Sequence, residues 1–273
     1  MTEQWKRIYR AGGFPILAVI LASCGGGSDV PGQCYSPTGA VCSAVGVPRS
    51  FPEPILSTAG LYRGVTSNGR TIAGLVLDDN SFYAIYSGFN NPAAAAGSIH
   101  GTLRADQGKF TITDAIDTSL DGMGTQLASV TGTFGSKQFL NGTINYPGLK
   151  QSISFSANYS SDYELRPDLS IIVGNYSGAS AIGTVAEAAT FEINGSGNIT
   201  GKGASGCSFS GTIQPRSSGN AYSVTLTFGG APCSSPGASA SGVSYFDRTS
   251  NVIYAVGSMT GQTTGFMATA TKQ

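Results

Sequence analysis

The sequence predicts an all-β protein: two small antiparallel meander domains in tandem, each of about eight strands that close as a barrel or stack as a sandwich. Apolar and hydroxyl side chains alternate along many short segments, which is the period of a half-buried strand. The 39 glycines, with abundant Ser and Thr, supply tight turns and pleated surfaces. No stretch carries a convincing helical period. With 40% hydrophobic residues in 273, the chain is long enough to bury one large or two small cores.

The first element is not part of that fold. Residues 1–24 read MTEQWKRIYRAGGFPILAVILASC, with Lys6, Arg7 and Arg10 ahead of an uncharged apolar run from Phe14 to Ala22. This is the layout of a secretory signal peptide. A permanent membrane-spanning helix needs roughly 20 apolar residues, about twice what the run offers.

Leu21, Ala22, Ser23 and Cys24 resemble the lipobox of bacterial lipoproteins. The resemblance implies cleavage before Cys24, a diacylglyceryl group on its sulfur and acylation of the freed amine. With Gly25 rather than Asp next, it also implies transfer to the outer membrane, on the periplasmic side or at the cell surface. Each buried methylene contributes about 0.8 kcal/mol, so several acyl chains on one residue give stable anchoring. Ordinary secretion stays open as an alternative, because Ser23 and Gly25 offer a small-x-small pair.

Residues 1–23 are thus the expected signal peptide, and 24–57 a tether headed by a lipidated Cys24. CGGGSDVPGQ and PRSFPEP contain too little apolar surface to offset the entropy of ordering them. In an oxidising compartment the remaining cysteines sort into two expected disulfides, Cys34 with Cys42 and Cys207 with Cys233. The first would close a short loop, worth roughly 2 to 3 kcal/mol in the chain-entropy model.

From residue 58 strand signals follow in quick succession: GLYRGVTS, RTIAGLVL, SFYAIYSG, SIHGTLRA, GKFTITDA, QLASVTGTF, FLNGTINY and QSISFSA. In the last, Ile153, Phe155 and Ala157 share one face and Ser152, Ser154 and Ser156 the other. The charged, Pro-bearing join SSDYELRPDLS puts a boundary near Arg166, which gives domains over 58–166 and 167–273. Each domain opens on a similar motif, Gly60-Leu-Tyr-Arg-Gly64 and Gly174-Asn-Tyr-Ser-Gly178. In the second, CSFSGTI and AYSVTLTF form an expected hairpin folded about Asn220. That fold would set Cys207 beside Cys233 and close the hairpin's open end, for about 3 to 4 kcal/mol.

Only 11% of residues are charged, 15 basic against 15 acidic, so no general field attracts nucleic acid. His100 is the only histidine, and alternation puts it with Ser98 and Thr102 on a solvated outer face, without the shelter a catalytic base needs. Gly201-Lys-Gly203-Ala-Ser-Gly206 spells a dinucleotide fingerprint, but a strand follows it where a helix is required, so it reads as hairpin glycine. Asp114, Asp117 and Asp121 match no calcium loop. No catalytic residue, cofactor site or metal site is expected. Phe82, Tyr83, Tyr86 and Phe89, followed by NNPAAAAG as a long uncharged loop, form the candidate partner surface, with core packing as the alternative.

The lipobox, GLYRG, GCSFSGTI, VTLTFGGAPC and YFDRTSNVIYAVG together resemble tandem β-domain lipoproteins of Gram-negative bacteria, a family that supplies no activity to carry over. Architecture alone is similar to the barrel domains of surface lipoproteins that bind host proteins. The expectation is a non-enzymatic, membrane-anchored envelope lipoprotein that binds a protein, glycan or small apolar ligand. A structural or envelope-stress component is the alternative, and a hydrolytic enzyme ranks third.

Overall fold

The computed structural model describes residues 56–273 and two short strands, β1 (Cys34–Tyr35) and β2 (Val41–Cys42). β1 and β2 pair antiparallel with Cys34 opposite Cys42. Their side chains, the signal segment, the lipobox with Cys24 and the rest of the tether up to residue 55 lie outside the described residues.

Two closed barrels follow. The first runs through β3 (Gly60–Thr66), β4 (Thr71–Val76), β5 (Ser81–Gly88), β6 (Asn91–Thr102), β7 (Arg104–Asp106), β8 (Lys109–Ser119), β9 (Gly124–Gly135), β10 (Phe139–Tyr146) and β11 (Gln151–Ser160). β3 to β6 pair in sequence, as do β7 to β11; β11 returns to β3, and β6 pairs directly with β8, so that the short β7, paired only with β8, sits outside the ring. A 3-10 turn (Ser161–Glu164) and a short helix α1 (Leu169–Ile172) form the join. Asp168 caps α1, its carboxylate accepting from Ser170 N at 2.8 Å.

The second barrel is β12 (Gly174–Ile182), β13 (Val185–Ile193), β14 (Asn198–Gly203), β15 (Ser208–Pro215), β16 (Tyr222–Phe228), β17 (Ser239–Asp247), β18 (Val252–Met259) and β19 (Gly265–Lys272). Each strand pairs with the next and β19 closes on β12. Of the two architectures the alternation allowed, the chain adopts the one that leaves no free edge.

The repeated opening motif has the same job in both rings. Tyr62 and Tyr176 are almost fully buried, and each donates its hydroxyl to the carbonyl four residues back, Thr58 O at 2.9 Å and Ile172 O at 2.6 Å. The second glycine of each motif faces the last strand: Gly64 pairs with Ala157 and Gly178 with Ala270. A Cβ at either would overlap a backbone carbonyl, Ser156 O or Thr269 O, so first and last strands approach only where no side chain intervenes.

The barrels pack wall to wall. Leu61, Leu75 and Leu77 on the outside of the first meet Ala221, Val243 and Val256 on the outside of the second. Around this seam, Arg63 donates to Tyr245 Oη at 2.8 Å and Asp247 Oδ2 at 3.1 Å, and Arg216 reaches Asp78 and Asp79 at 2.8 and 2.9 Å.

Cys207 and Cys233 are disulfide-bonded, with Cα atoms 4.4 Å apart. The route differs from the one expected. β15 and β16 pair Phe209 with Phe228 and Pro215 with Tyr222, which centres the turn between Ser218 and Gly219 rather than on Asn220. In that register position 207 faces Gly230, and a turn with Cys233 N donating to Gly230 O at 3.1 Å folds the second cysteine back. Asn220 is instead buried, its backbone N–H bonded to Tyr163 O at 2.9 Å. Replacing both cysteines by Ser should lower stability by about 3 kcal/mol. Urea unfolding of the oxidised wild type against C207S/C233S checks this; equal midpoints contradict it.

Candidate functional site

The two interiors differ in how inward positions are filled. In the first barrel, inward Phe110, Ile112, Val130, Leu140 and Phe155 meet in one continuous buried core. Phe110 lies against Gly132 and Gly142, so a large ring occupies the space that neighbouring glycines leave.

The second barrel is hollow. Its aromatic side chains lie along the wall: Tyr176 stacks on Phe191 at 4.9 Å, Phe191 meets Phe209 at 6.4 Å, and Phe209 meets Phe228 at 6.3 Å. Phe209 lies over Gly201 and Phe266 over Gly257. Small residues such as Ala255 and Ala268 occupy other inward positions. What remains is a cavity of about 300 Å³. Phe191, Phe209 and Leu226 line it and stay partly accessible although they point inward.

One end of this space is closed. α1 packs Leu169, Ile171 and Ile172 against Tyr176, Ile193 and Tyr222 where β12 begins. The far end, where β12 turns into β13, is the mouth. Val185, Glu187, Ser205, Pro232 and Ser234 border it, and the disulfide holds the two loops on one side of it. Glu187 Oε2 accepts from Ser205 N at 2.7 Å and is the only charged side chain in the lining. Ser244 sits deeper, between the register partners Tyr222 and Ala255; it is 1% exposed and its hydroxyl has no hydrogen-bond partner among the described residues.

The first barrel holds one polar knot instead of a cavity. Asp117 is fully buried, accepting from Tyr86 Oη at 2.7 Å and Tyr146 Oη at 2.6 Å. Arg70 donates to Asp121 Oδ2 at 2.6 Å and to Ser87 O at 2.9 Å, with its guanidinium 3.6 Å from the Phe89 ring centroid. Burial raises the Asp117 pKa against the opposing pull of the tyrosine hydroxyls and Arg70. The tyrosine pKa values are raised too, by burial and then by the Asp117 charge. Both Asp117 oxygens and both tyrosine hydroxyls have partners and Arg70 is paired with Asp121, so the group reads as an internal brace.

The aspartates grouped by sequence are therefore separated: Asp117 is inside, Asp121 pairs with Arg70, and Asp114 accepts from Thr102 N at 2.9 Å. No group of three or more metal-ligating side chains occurs among the described residues. The four aromatics do not form one surface. Phe82 and Tyr86 point into the first core, Tyr83 packs into the seam between barrels, and Phe89 alone is well exposed, at 54%. Strand alternation divides them, because successive residues of β5 point to opposite faces of the sheet. NNPAAAAG is no loop either, since residues 91–97 begin β6.

His100 departs from its expected solvated face. β6 runs against β18 and β19, and Thr118, the partner of Ser98, abuts Gly265. Ser98 is buried and His100 half-buried, its Nδ1 without a protein partner, and burial lowers its pKa against the pull of Asp114. The outer face was polar in sequence, but a neighbouring barrel covers it. Gly201 and Gly203 lie in β14, and Gly206 turns the chain into β15 with φ of 92°, so the glycine run is a hairpin.

The cavity carried no motif at sequence level. Its signal was weak: Phe191, Phe209 and Phe228 on inward positions of three strands, with Gly201, Gly211 and Ala255 in place of large partners.

Fold and cavity together define a tandem β-barrel protein with one filled and one hollow barrel. No protein-family model and no curated protein matches this chain. Among solved structures it is similar to a candidate outer membrane protein of Bacteroides fragilis, at 10% identity and TM-score 0.27 over 79% of this chain and 97% of that one. It is also similar to transferrin binding protein B of serogroup B Neisseria meningitidis, at 11% identity and TM-score 0.29, spanning 75% of this chain and 66% of that one. A mutant transferrin binding protein B of Haemophilus parasuis scores 0.29 at 13% identity, with 75% and 51% of the two chains covered. These scores are too low to bear on fold or function.

The buried Asp117 gives a pH prediction. A carboxyl group with a raised folded pKa contributes stability that is fully present below its unfolded pKa and is lost as pH rises through the folded value. The melting temperature of wild type minus that of Asp117→Asn should therefore fall as pH rises above the ordinary carboxylate range. A difference that is flat or grows with pH contradicts the assignment.

Proposed function

We propose that this chain is a non-enzymatic lipoprotein of the bacterial envelope whose second barrel takes up a small apolar ligand. Cys24, at the head of the tether, is the lipid-bearing residue, and it holds the protein at the outer membrane. The observation that carries the reading is the contrast between interiors. Two rings of the same connectivity come from one chain, yet one is packed solid and the other keeps about 300 Å³ lined by Phe191, Phe209, Leu226 and other apolar groups. Leaving such surface unburied forgoes roughly 25 cal/mol per Å² that a packed core would gain. The size lies at the lower end of small-molecule pockets, and eight-stranded barrels hold one small ligand in this way.

The cavity shapes the partner class. A space of about 300 Å³ lined mainly by apolar side chains admits a small apolar molecule, whereas a protein interface is spread over roughly 800 Å² of surface on each partner.

The neutral fluorophore N-phenyl-1-naphthylamine should bind the full chain and brighten. Free probe at about 100 times its Kd should stabilise the fold by about 2.7 kcal/mol. Ala255→Phe, which fills the cavity from β18, should weaken probe binding at least tenfold while the melting temperature holds or rises; unchanged binding defeats the proposal. The anchor is tested separately by growing cells on a clickable fatty acid. Label should appear on the wild type and be absent from Cys24→Ala, and equal label on both refutes lipidation.

A further inference from the structure

Resting on the apolar-ligand reading above, we infer the ligand's polar chemistry: an uncharged apolar molecule that carries one hydroxyl or carbonyl at its inserted end, with fatty carboxylates rejected. Two side chains of the second barrel support this, at opposite ends of one cavity.

The inner one is Ser244. Its neighbours along β17 are the apolar Val243 and Tyr245, which face the first barrel, while Ser244 itself faces the cavity. At 1% exposure its hydroxyl has no hydrogen-bond partner among the described residues. A buried hydroxyl without a partner is costly, and Ala would fill the same space without that cost. Tyr176 and Tyr222 show how this barrel treats its other interior hydroxyls: the first donates to Ile172 O at 2.6 Å and the second to Asp168 O at 3.1 Å. Ser244 is thus the one inward hydroxyl of the deep end that is left for something else to meet. A serine hydroxyl can donate to a carbonyl or pair with a second hydroxyl, so either end group fits.

The outer one is Glu187. No Lys or Arg lines the cavity, so an anion carried to Ser244 would be buried without a counter-charge. Inserted tail first, a carboxylate would instead lie at the mouth beside Glu187, where like charges repel. Both orientations therefore disfavour an anionic head. A neutral head has no such cost, and its apolar body lies against the ring wall of Phe191, Phe209 and Phe228.

The test displaces N-phenyl-1-naphthylamine from the full chain at neutral pH with decanol and with decanoate, which share a tail length and differ in head. Decanol should compete at least tenfold better. Ser244→Ala should weaken decanol about five- to tenfold, the loss of one hydrogen bond, while the probe's own affinity and the melting temperature stay unchanged or rise. Glu187→Gln should improve decanoate and leave decanol as it was. Decanoate competing as well as decanol, or decanol indifferent to Ser244→Ala, overturns the inference while the apolar-ligand reading survives on the probe's binding. Failure of the probe itself to bind overturns that reading, and this inference with it.

Discussion

Everything in this molecule depends on closing each sheet onto its own first strand. A meander of eight short strands has two edges, and the closure that removes them must be made between residues far apart in sequence. In both rings it is made the same way. A buried tyrosine donates to the carbonyl four residues before it, which sets the angle at which the first strand enters. A glycine two residues later then lets the last strand approach: Gly64 beneath Ala157, Gly178 beneath Ala270. The tyrosine anchors and the glycine admits, and the remaining strands follow by local hairpins.

Once closed, the rings diverge through inward side chains alone. In both, an aromatic ring lies over a facing glycine, Phe110 over Gly132 and Gly142 in the first and Phe209 and Phe266 over Gly201 and Gly257 in the second. Phe110 joins a continuous buried core, while Phe209 stays partly accessible beside a cavity of about 300 Å³. The first barrel also contains a carboxylate held between two tyrosine hydroxyls, with an arginine, aspartate and aromatic ring stacked at its edge. Such a network is favourable inside protein only when its members are satisfied, and here they are. In the second barrel the plug of α1 and the Cys207–Cys233 bond fix the two ends of the hollow, so its shape is set by rigid parts.

Much of the architecture was legible in the chain. Alternation in segments such as AYSVTLTF and QSISFSA named the strands, and the repeat of GLYRG by GNYSG named the tandem. The disulfide pairing was legible too, although the hairpin register behind it was displaced because Asn220 is buried at the seam rather than exposed at a turn. Period-two patterns give the side of a strand and not what lies beyond it. For that reason Ser98 and His100 read as solvated, when β6 runs against the second barrel, Ser98 is buried and His100 is half-buried. Phe82, Tyr83, Tyr86 and Phe89 read either as core packing or as one partner surface, and alternation divides them: Phe82 and Tyr86 enter the first core, Tyr83 the seam, and Phe89 stays exposed.

What the sequence determined by itself was everything governed by local order: strand period, turn glycines, the lipobox resemblance at Cys24 and the two matching domain openings. These are properties of neighbours along the chain, where sterics and alternation act over a few residues. Only the tertiary structure decided that both sheets close as barrels, that they share an apolar seam, and that one interior is filled while the other keeps a cavity beside its core. Filling is a sum over side chains from eight strands converging on one axis, so no single segment carries it. Ser244 shows the difference most plainly. In sequence it is one serine among many, and in the fold it is a buried hydroxyl facing an apolar cavity with no partner of its own.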